Sequence, residues 1–117
     1  MAYGLWLALG QSRIYRGDFS ATNKLTGTIY TDKNLTTAKN LTGYTITVRI
    51  HRKGHYGDFF NKTADIVTAG DGTWSYAIGN GELPPRGIYW VKVEISKSGD
   101  KESTLNRVEL HILEGPN

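Results

Sequence analysis

Cysteine is absent from this sequence, and methionine occurs only once. The absence of cysteine excludes disulfide bonds, thiolate zinc sites and cysteine nucleophiles. Proline is scarce as well, with three residues, two of which are the adjacent Pro84 and Pro85. A chain of 117 residues is long enough to bury a core and fold without a disulfide or a metal ion. The composition therefore favours a single domain over residues 1–117.

A long apolar run and a dense basic stripe are also lacking. No stretch approaches the roughly 20 apolar residues that span a bilayer, so we expect no membrane partner. The apolar start has no basic residue before Arg13, which argues against a secretory signal. The formal net charge of +3 comes from 14 basic and 11 acidic residues. This excess is far below that of a typical nucleic-acid binder, so we expect no nucleic-acid partner.

Helical periodicity is missing too, because no window repeats apolar residues at i, i+3, i+4 and i+7. Apolar and polar residues alternate with a period of two instead, which is typical of half-buried strands. The alternation is clearest over residues 44–51 and 87–95, and it recurs over 5–9, 25–31, 58–67, 73–78 and 107–112. Glycine, asparagine and aspartate cluster between these segments as turn residues. About seven short strands with regular turns predict an antiparallel β-sandwich or a small barrel.

Two prolines and a glycine stand directly before the strand predicted over residues 87–95. Pro84 and Pro85 restrict φ and stiffen the crossing from one sheet to the other. Gly87 permits a sharp turn into the strand. Tyr89 then holds the position where a sandwich corner places a tyrosine whose ring packs inward and whose hydroxyl bonds to upstream backbone. We interpret Pro84, Pro85, Gly87 and Tyr89 as a structural corner.

No pattern in the sequence predicts catalysis. There is no Gly-x-Ser-x-Gly elbow, no P-loop lysine-serine and no carboxylate pair set by a strand. His51, His55 and Asp58 are close in sequence, but a strand running into a loop lacks the helical spacing that brings two histidines together. Arg49, His51 and Lys53 share a strand face that we interpret as the wet side of a sheet. We therefore expect no enzyme activity, no cofactor and no metal ion.

Aromatic residues are in excess, with three tryptophans and seven tyrosines. Trp6, Trp74 and Trp90 could form a sugar-stacking platform, which would make the chain a carbohydrate-binding module. The other interpretation places them in the core or at a subunit interface, since aromatic residues dominate both. Trp90 is out of phase with the apolar residues of its strand, so one of the two faces of the strand is either exposed or covered by another part of the structure or another chain. We predict that Trp90 lies at a subunit interface.

The start of the chain carries large apolar side chains on both faces of a short predicted strand. These residues are Tyr3, Leu5, Trp6, Leu7 and Leu9. An edge strand of one sandwich buries a single face, so two apolar faces indicate that both are covered. We predict that this segment is a subunit interface, formed by residues 1–10 as an assembly arm added to a neighbour's sheet or packed beneath it. The alternative is a first strand tucked inside its own sandwich.

Three stretches of the chain resemble a known family. They are Asn40-Leu41-Thr42-Gly43-Tyr44-Thr45-Ile46-Thr47-Val48, then residues 61–67 followed by 70–76, and finally Leu83-Pro84-Pro85-Arg86-Gly87-Ile88-Tyr89. Over residues 14–98 their spacing is similar to the immunoglobulin-like N-terminal domain of phage baseplate upper proteins and related tailed-phage virion structural proteins. The motifs consist of strand and turn residues, and the family has no catalytic residues to transfer.

The resemblance implies an all-β fold, an immunoglobulin-like antiparallel β-sandwich of about seven strands. It also implies a non-enzymatic structural protein of a bacteriophage particle, located in the virion as a tail, baseplate or capsid-surface component. Such a protein would form a homo-oligomer and assemble or display other virion proteins, with a host-surface glycan as a further potential partner. The alternative function is a carbohydrate-binding β-sandwich module.

Overall fold

The computed structural model describes residues 4–10, 13–15, 24–52, 60–77 and 87–113. These residues contain nine β-strands, a single-turn 3-10 helix over Ala69–Asp71 and no α-helix. The strands are β1 (Trp6–Leu9), β2 (Arg13–Tyr15), β3 (Lys24–Tyr30), β4 (Thr45–Arg52), β5 (Phe60–Thr68), β6 (Thr73–Ala77), β7 (Gly87–Lys97), β8 (Asp100–Ser103) and β9 (Val108–Leu113).

The strands form two layers that β5 joins. In sheet I the order is β1-β3-β6-β5, with the last part of β5 pairing with β6 from Asp65 onward. In sheet II the order is β5-β4-β7-β9-β2, with the first part of β5 pairing with β4 up to Ala64. Without β2 and β8, and with the shared strand β5 counted in sheet I, these orders are the A-B-E-D and C-F-G arrangements of a constant-type immunoglobulin domain. The predicted all-β, immunoglobulin-like sandwich is therefore confirmed.

Seven of the nine strands correspond to the predicted segments, and β2 and β8 are additional. The three residues of β2 pair in parallel with β9, and parallel partners distant in sequence leave no local signal. The four residues of β8 read Asp-Lys-Glu-Ser, a polar run without alternation. It forms because Ser98 and Gly99 have positive φ values of 53° and 88°. Positive φ at both central residues is the geometry of a tight two-residue hairpin turn.

One hydrophobic core lies between the two sheets. Alternate residues of β3, β4, β7 and β9 point into it, as their burial patterns show. Its fully buried side chains include Leu7, Leu25, Ile29, Leu41, Ile46, Val48, Ile50, Trp74, Tyr89, Ile95, Leu110 and Ile112. Burial of each such aliphatic or aromatic side chain contributes about 1.5–3 kcal/mol before the entropy cost of ordering it. The period-two pattern of the sequence thus becomes the inner surface of the sandwich.

The turn before β4 is held by a side chain. The Oδ1 atom of Asn40 accepts hydrogen bonds from the backbone N–H of Thr42 at 3.0 Å and from its hydroxyl at 2.7 Å. Leu41 is fully buried between them, and Gly43 has a φ of 81°. This turn places Tyr44 at one end of sheet II, immediately before β4.

The turn after β3 depends on a carboxylate. Asp32 accepts hydrogen bonds from the backbone N–H groups of Thr36 at 3.0 Å and Thr37 at 2.9 Å, and from the Thr36 hydroxyl. The Thr36 hydroxyl contributes most to holding the pKa of Asp32 below its usual value, and the Thr37 N–H adds to this. Because hydrogen bonds to the charged form favour it, the ionised carboxylate is part of the folded turn.

We expect Asp32→Asn to lower the melting temperature at neutral pH, because the amide replaces an ionised acceptor. A depressed folded-state pKa stabilises the fold above the ordinary value of 3.8, and this contribution is lost as the pH falls through the folded-state pKa. The difference in melting temperature between the wild type and the variant should therefore shrink as the pH falls below 3.8. Thermal melts over that range measure it, and a difference independent of pH would contradict the role of Asp32.

Candidate assembly surface

Trp90 lies on the outer face of sheet II. The residues on either side of it in β7, Tyr89 and Val91, point into the core, so Trp90 points outward and is half-buried. The strand register places His51 of β4 on one side of it and Glu109 of β9 on the other. Since β7 is the middle strand of sheet II, Trp90 occupies the centre of a sheet face and not its edge.

Arg107 contacts Trp90. Its guanidinium carbon lies 5.2 Å from the centroid of a Trp90 ring, which is cation–π distance. Ile88, two residues earlier on the same outward face, is 38% exposed and extends the apolar area. Tryptophan and arginine are the residue types most enriched at the energetic centres of protein interfaces. Trp90, Arg107 and Ile88 are called the Trp90 patch below.

Charged side chains surround the Trp90 patch. Arg49 and Glu94 form a pair at 3.8 Å, and the Nε2 atom of His111 lies 3.1 Å from the Glu109 carboxylate. The Arg49–Glu94 ion pair is partly exposed, and pairs near the surface contribute little to stability, with a median of about 0–1 kcal/mol. An apolar centre with a polar rim is the usual composition of a protein–protein contact. The outer face of sheet II has this composition around Trp90.

Strand β1 is the edge of sheet I, and its inward side chains belong to the chain's own core. Leu5 and Leu7 are buried, and Leu9 packs against the same cluster. Trp6 faces the other way, opposite Tyr30 of β3, and is half-buried. The burial of Leu5 and Leu7 agrees with the alternative prediction, in which the first strand packs inside its own sandwich. Of the described residues predicted at this interface, only Trp6 points away from the core. Tyr3 lies outside the described residues.

The free edge of β1 is occupied by the chain between β8 and β9. The Asn106 side chain accepts a hydrogen bond from the Leu7 N–H at 2.8 Å and donates one to the Leu7 carbonyl at 2.8 Å. The Leu105 N–H donates to the Leu5 carbonyl at 2.7 Å. The Asn106 amide therefore imitates a neighbouring strand. A strand from another chain cannot pair at Leu7 while Asn106 is in place.

Two of the four residues predicted to form the structural corner lie in the described part of the chain. Gly87 is the first residue of β7, with a φ of 158°, and Tyr89 is fully buried with its ring in the core. Pro84 and Pro85 lie outside the described residues. The bond of the Tyr89 hydroxyl to upstream backbone stays a prediction.

The three tryptophans do not form one platform. Trp74 is fully buried, and its ring covers Gly27 so closely that a Cβ there would lie 2.5 Å from it. Trp6 and Trp90 lie on the outer faces of different sheets. The hypothesis of a single sugar-stacking platform is therefore wrong, because the alternation of three separate strands sends the rings in three directions.

Neither a group of metal-binding side chains nor a membrane-spanning helix occurs in the described part of the chain. No three His, Asp or Glu side chains within it are grouped so that they could hold a metal ion. His55 and Asp58, two of the residues considered for such a site, lie outside it. Across the same ranges, no helix is long and apolar enough to cross a membrane.

No partner could be assigned from the sequence for two residues near the start of β9. Asn106 precedes the alternation over residues 107–112, and Arg107 was placed at the start of that alternation with no contact assigned to it. Asn106 is 99 positions from Leu7, so only the closed sandwich brings the two together. An asparagine after a predicted strand is a weak signal, because asparagine is common in turns.

No model of a known protein family matches this chain. A search of curated proteins finds no significant relative.

Proposed function

We propose that this chain is a non-enzymatic structural protein of a bacteriophage particle. It would serve in the virion as a tail, baseplate or capsid-surface component that assembles with copies of itself and with other virion proteins. The observation that carries the proposal is the Trp90 patch, an aromatic and arginine pair at the centre of a sheet face with a charged rim. Such a surface binds by shape and apolar contact, which is what an assembly subunit requires. The resemblance in the three turn-and-strand stretches supports the phage setting.

The two outward-facing, half-buried tryptophans support a subunit with more than one neighbour. Trp6 lies on the outer face of sheet I, and Trp90 lies on the outer face of sheet II. A contact between two different surfaces of identical subunits continues into a ring or a filament, whereas one self-complementary surface stops at a dimer. A subunit that carries an aromatic contact residue on each sheet is suited to the first arrangement.

Trp90→Ala is expected to weaken self-association. Truncation of an interface hot spot costs about 2 kcal/mol or more, which is roughly a 30-fold rise in the dissociation constant. Because Trp90 faces outward and is only half-buried, the variant should stay folded. Sedimentation velocity over a concentration series measures the association, and far-ultraviolet circular dichroism checks the fold.

Val67→Ala is the matched control, because Val67 is an exposed apolar residue of β5 that lies outside the Trp90 patch. It should associate as the wild type does. A Trp90→Ala protein that associates with unchanged affinity would remove the Trp90 patch from the assembly surface.

The alternative function, a carbohydrate-binding module, relied on exposed tryptophans in one plane. Trp6, Trp74 and Trp90 lie on different surfaces, so a glycan would have to bind elsewhere.

A further inference from the structure

Two positively charged side chains beside Trp90 lack a carboxylate partner. Lys92 follows Trp90 by two residues in β7 and points to the same outer face of sheet II. Among the described residues, neither Lys92 nor Arg107 has a carboxylate within 4.0 Å. Arg49 lies directly opposite Lys92 in the strand register, and like charges at such positions repel each other. Positive charge is thus concentrated next to the apolar centre of the Trp90 patch.

The two glutamates nearest to these cations are already engaged. Glu94 lies 3.8 Å from Arg49, and Glu109 lies 3.1 Å from His111. The face around Trp90 therefore keeps a net positive charge from the two unpaired cations. If two copies met patch to patch, these cations would face each other, and juxtaposed like charges disfavour a contact. A surface that brings carboxylates fits the Trp90 patch instead.

The hairpin of β7 and β8 carries such carboxylates. Asp100 and Glu102 are exposed, and neither has an ion-pair partner within 4.0 Å among the described residues. Glu102 pairs with the inward-facing Ile95, and Asp100 pairs with Lys97. Because cross-strand partners share a face of the sheet, both carboxylates lie on the core side of sheet II. They are exposed there because this end of the hairpin extends past the core.

This acidic surface is net negative. Its carboxylates line a surface pocket of about 290 Å³, and the other described lining residues are Tyr44, Lys97 and Ser98. The described lining thus has two carboxylates and one lysine. The Lys97 ammonium group lies 5.3 Å from the centroid of the Tyr44 ring, so it is directed to the ring. The carboxylates of Asp100 and Glu102 remain available to a cation from outside.

The spacing of the cations matches that of the carboxylates. Lys92 and the guanidinium that lies over Trp90 are separated by about a two-residue step of β7, and Asp100 and Glu102 by the same step of β8. Each step is roughly 7 Å. A planar guanidinium can also donate two parallel hydrogen bonds to one carboxylate. Two charged contacts can therefore form together, with Trp90 between them as the apolar contact.

We propose that the Asp100–Glu102 surface of one copy binds the Trp90 patch of the next copy. The proposal rests on the structural role proposed above and names the partner surface within it. The Trp90 patch is on the outer face of sheet II, and the two carboxylates are on the opposite side of that sheet, so one copy can use both surfaces at once. A contact between two different surfaces continues from copy to copy into a ring or a filament.

An exchange of charges tests this pairing. Lys92→Glu with Arg107→Glu makes both surfaces negative, and Asp100→Lys with Glu102→Lys makes both positive. Each double variant alone should associate about tenfold more weakly than the wild type, or weaker still, because like charges then meet. An equimolar mixture of the two should associate about as tightly as the wild type, since opposite charges meet again between unlike variants. Sedimentation velocity measures the association in all three samples.

Asp65→Lys with Asp71→Lys is the matched control. It changes the net charge by the same amount as Asp100→Lys with Glu102→Lys. Asp65 and Asp71 are exposed, and they lie in β5 and the 3-10 helix and belong to neither surface. The control should associate as the wild type does. Far-ultraviolet circular dichroism confirms that each variant is folded.

Unchanged association of the Asp100→Lys, Glu102→Lys protein would overturn the pairing, and so would a mixture that does not regain association. An equal loss in the control would also overturn it, because net charge alone would then explain the result. If Trp90→Ala still weakened association in any of these cases, the structural role would stand with a different partner surface. A wild type that is monomeric at every concentration would overturn both proposals.

Discussion

Leu7→Ala is expected to lower the free energy of unfolding by about 2–5 kcal/mol. Leu7 is 1% exposed, and it points from β1 into the core opposite Ile29 of β3. Alanine would leave a cavity between the two sheets and remove apolar contacts that no neighbouring side chain can replace. Urea unfolding followed by tryptophan fluorescence measures the loss.

Leu105→Ala is the matched control, because it removes the same atoms from a side chain that is 55% exposed. Its effect should stay within about 0.5 kcal/mol, as for most surface substitutions. Deletion of residues 1–10 should be more severe than Leu7→Ala, since it removes Leu5 and Leu7 together with the hydrogen bonds of β1. We therefore expect the truncated chain to lose its cooperative unfolding transition. A truncated chain that remains a folded monomer would show that residues 1–10 form an arm and not a core strand.

Gly72→Ala is expected to destabilise the fold by roughly 2–6 kcal/mol, which combines backbone strain with overpacking. Gly72 has a φ of 69°, in the left-handed region that favours glycine. A Cβ at this position would lie 2.6 Å from the Ile29 carbonyl oxygen and 2.9 Å from that of Lys39. The turn cannot shift to avoid them, because the Gly72 carbonyl accepts a bond from the Ile29 N–H at 2.9 Å.

Gly70→Ala provides the comparison two residues earlier. A Cβ at Gly70 meets no atom within 4 Å, and its φ is not in the left-handed range. We expect that variant to unfold within about 0.5 kcal/mol of the wild type. Equal stability of the Gly70 and Gly72 variants would mean that the contact between this turn and β3 is looser than described.

The strands with one buried face could be predicted from the sequence, because burial on one side imposes a period of two on the residue types. This holds for β4, where Ile46, Val48 and Ile50 alternate with polar residues. It fails for β8, whose residues are polar throughout and which forms because the Ser98-Gly99 turn folds it back on β7. The apolar faces of β1 were predictable, but their partners were not. A sequence pattern shows that a face is covered and does not show which part of the chain covers it.

Trp90 of the candidate assembly surface could be predicted from the sequence, but the residues that contact it from other strands could not. Trp90 stood out because it is an aromatic residue in the polar phase of a strongly alternating strand. Arg107 and Asn106 could not be assigned, since each acts on a residue of another strand. The side chains of Tyr44, Lys97 and Asp100 likewise converge only when β4, β7 and β8 are paired in register.

The mass of the 117-residue protein in solution tests the structural role most directly. Sedimentation equilibrium over a wide concentration range gives this mass without any assumption about shape. We predict a discrete oligomer at high concentration that dissociates on dilution, with a lower association constant for Trp90→Ala. A single monomer mass at every concentration would contradict self-assembly through the Trp90 patch.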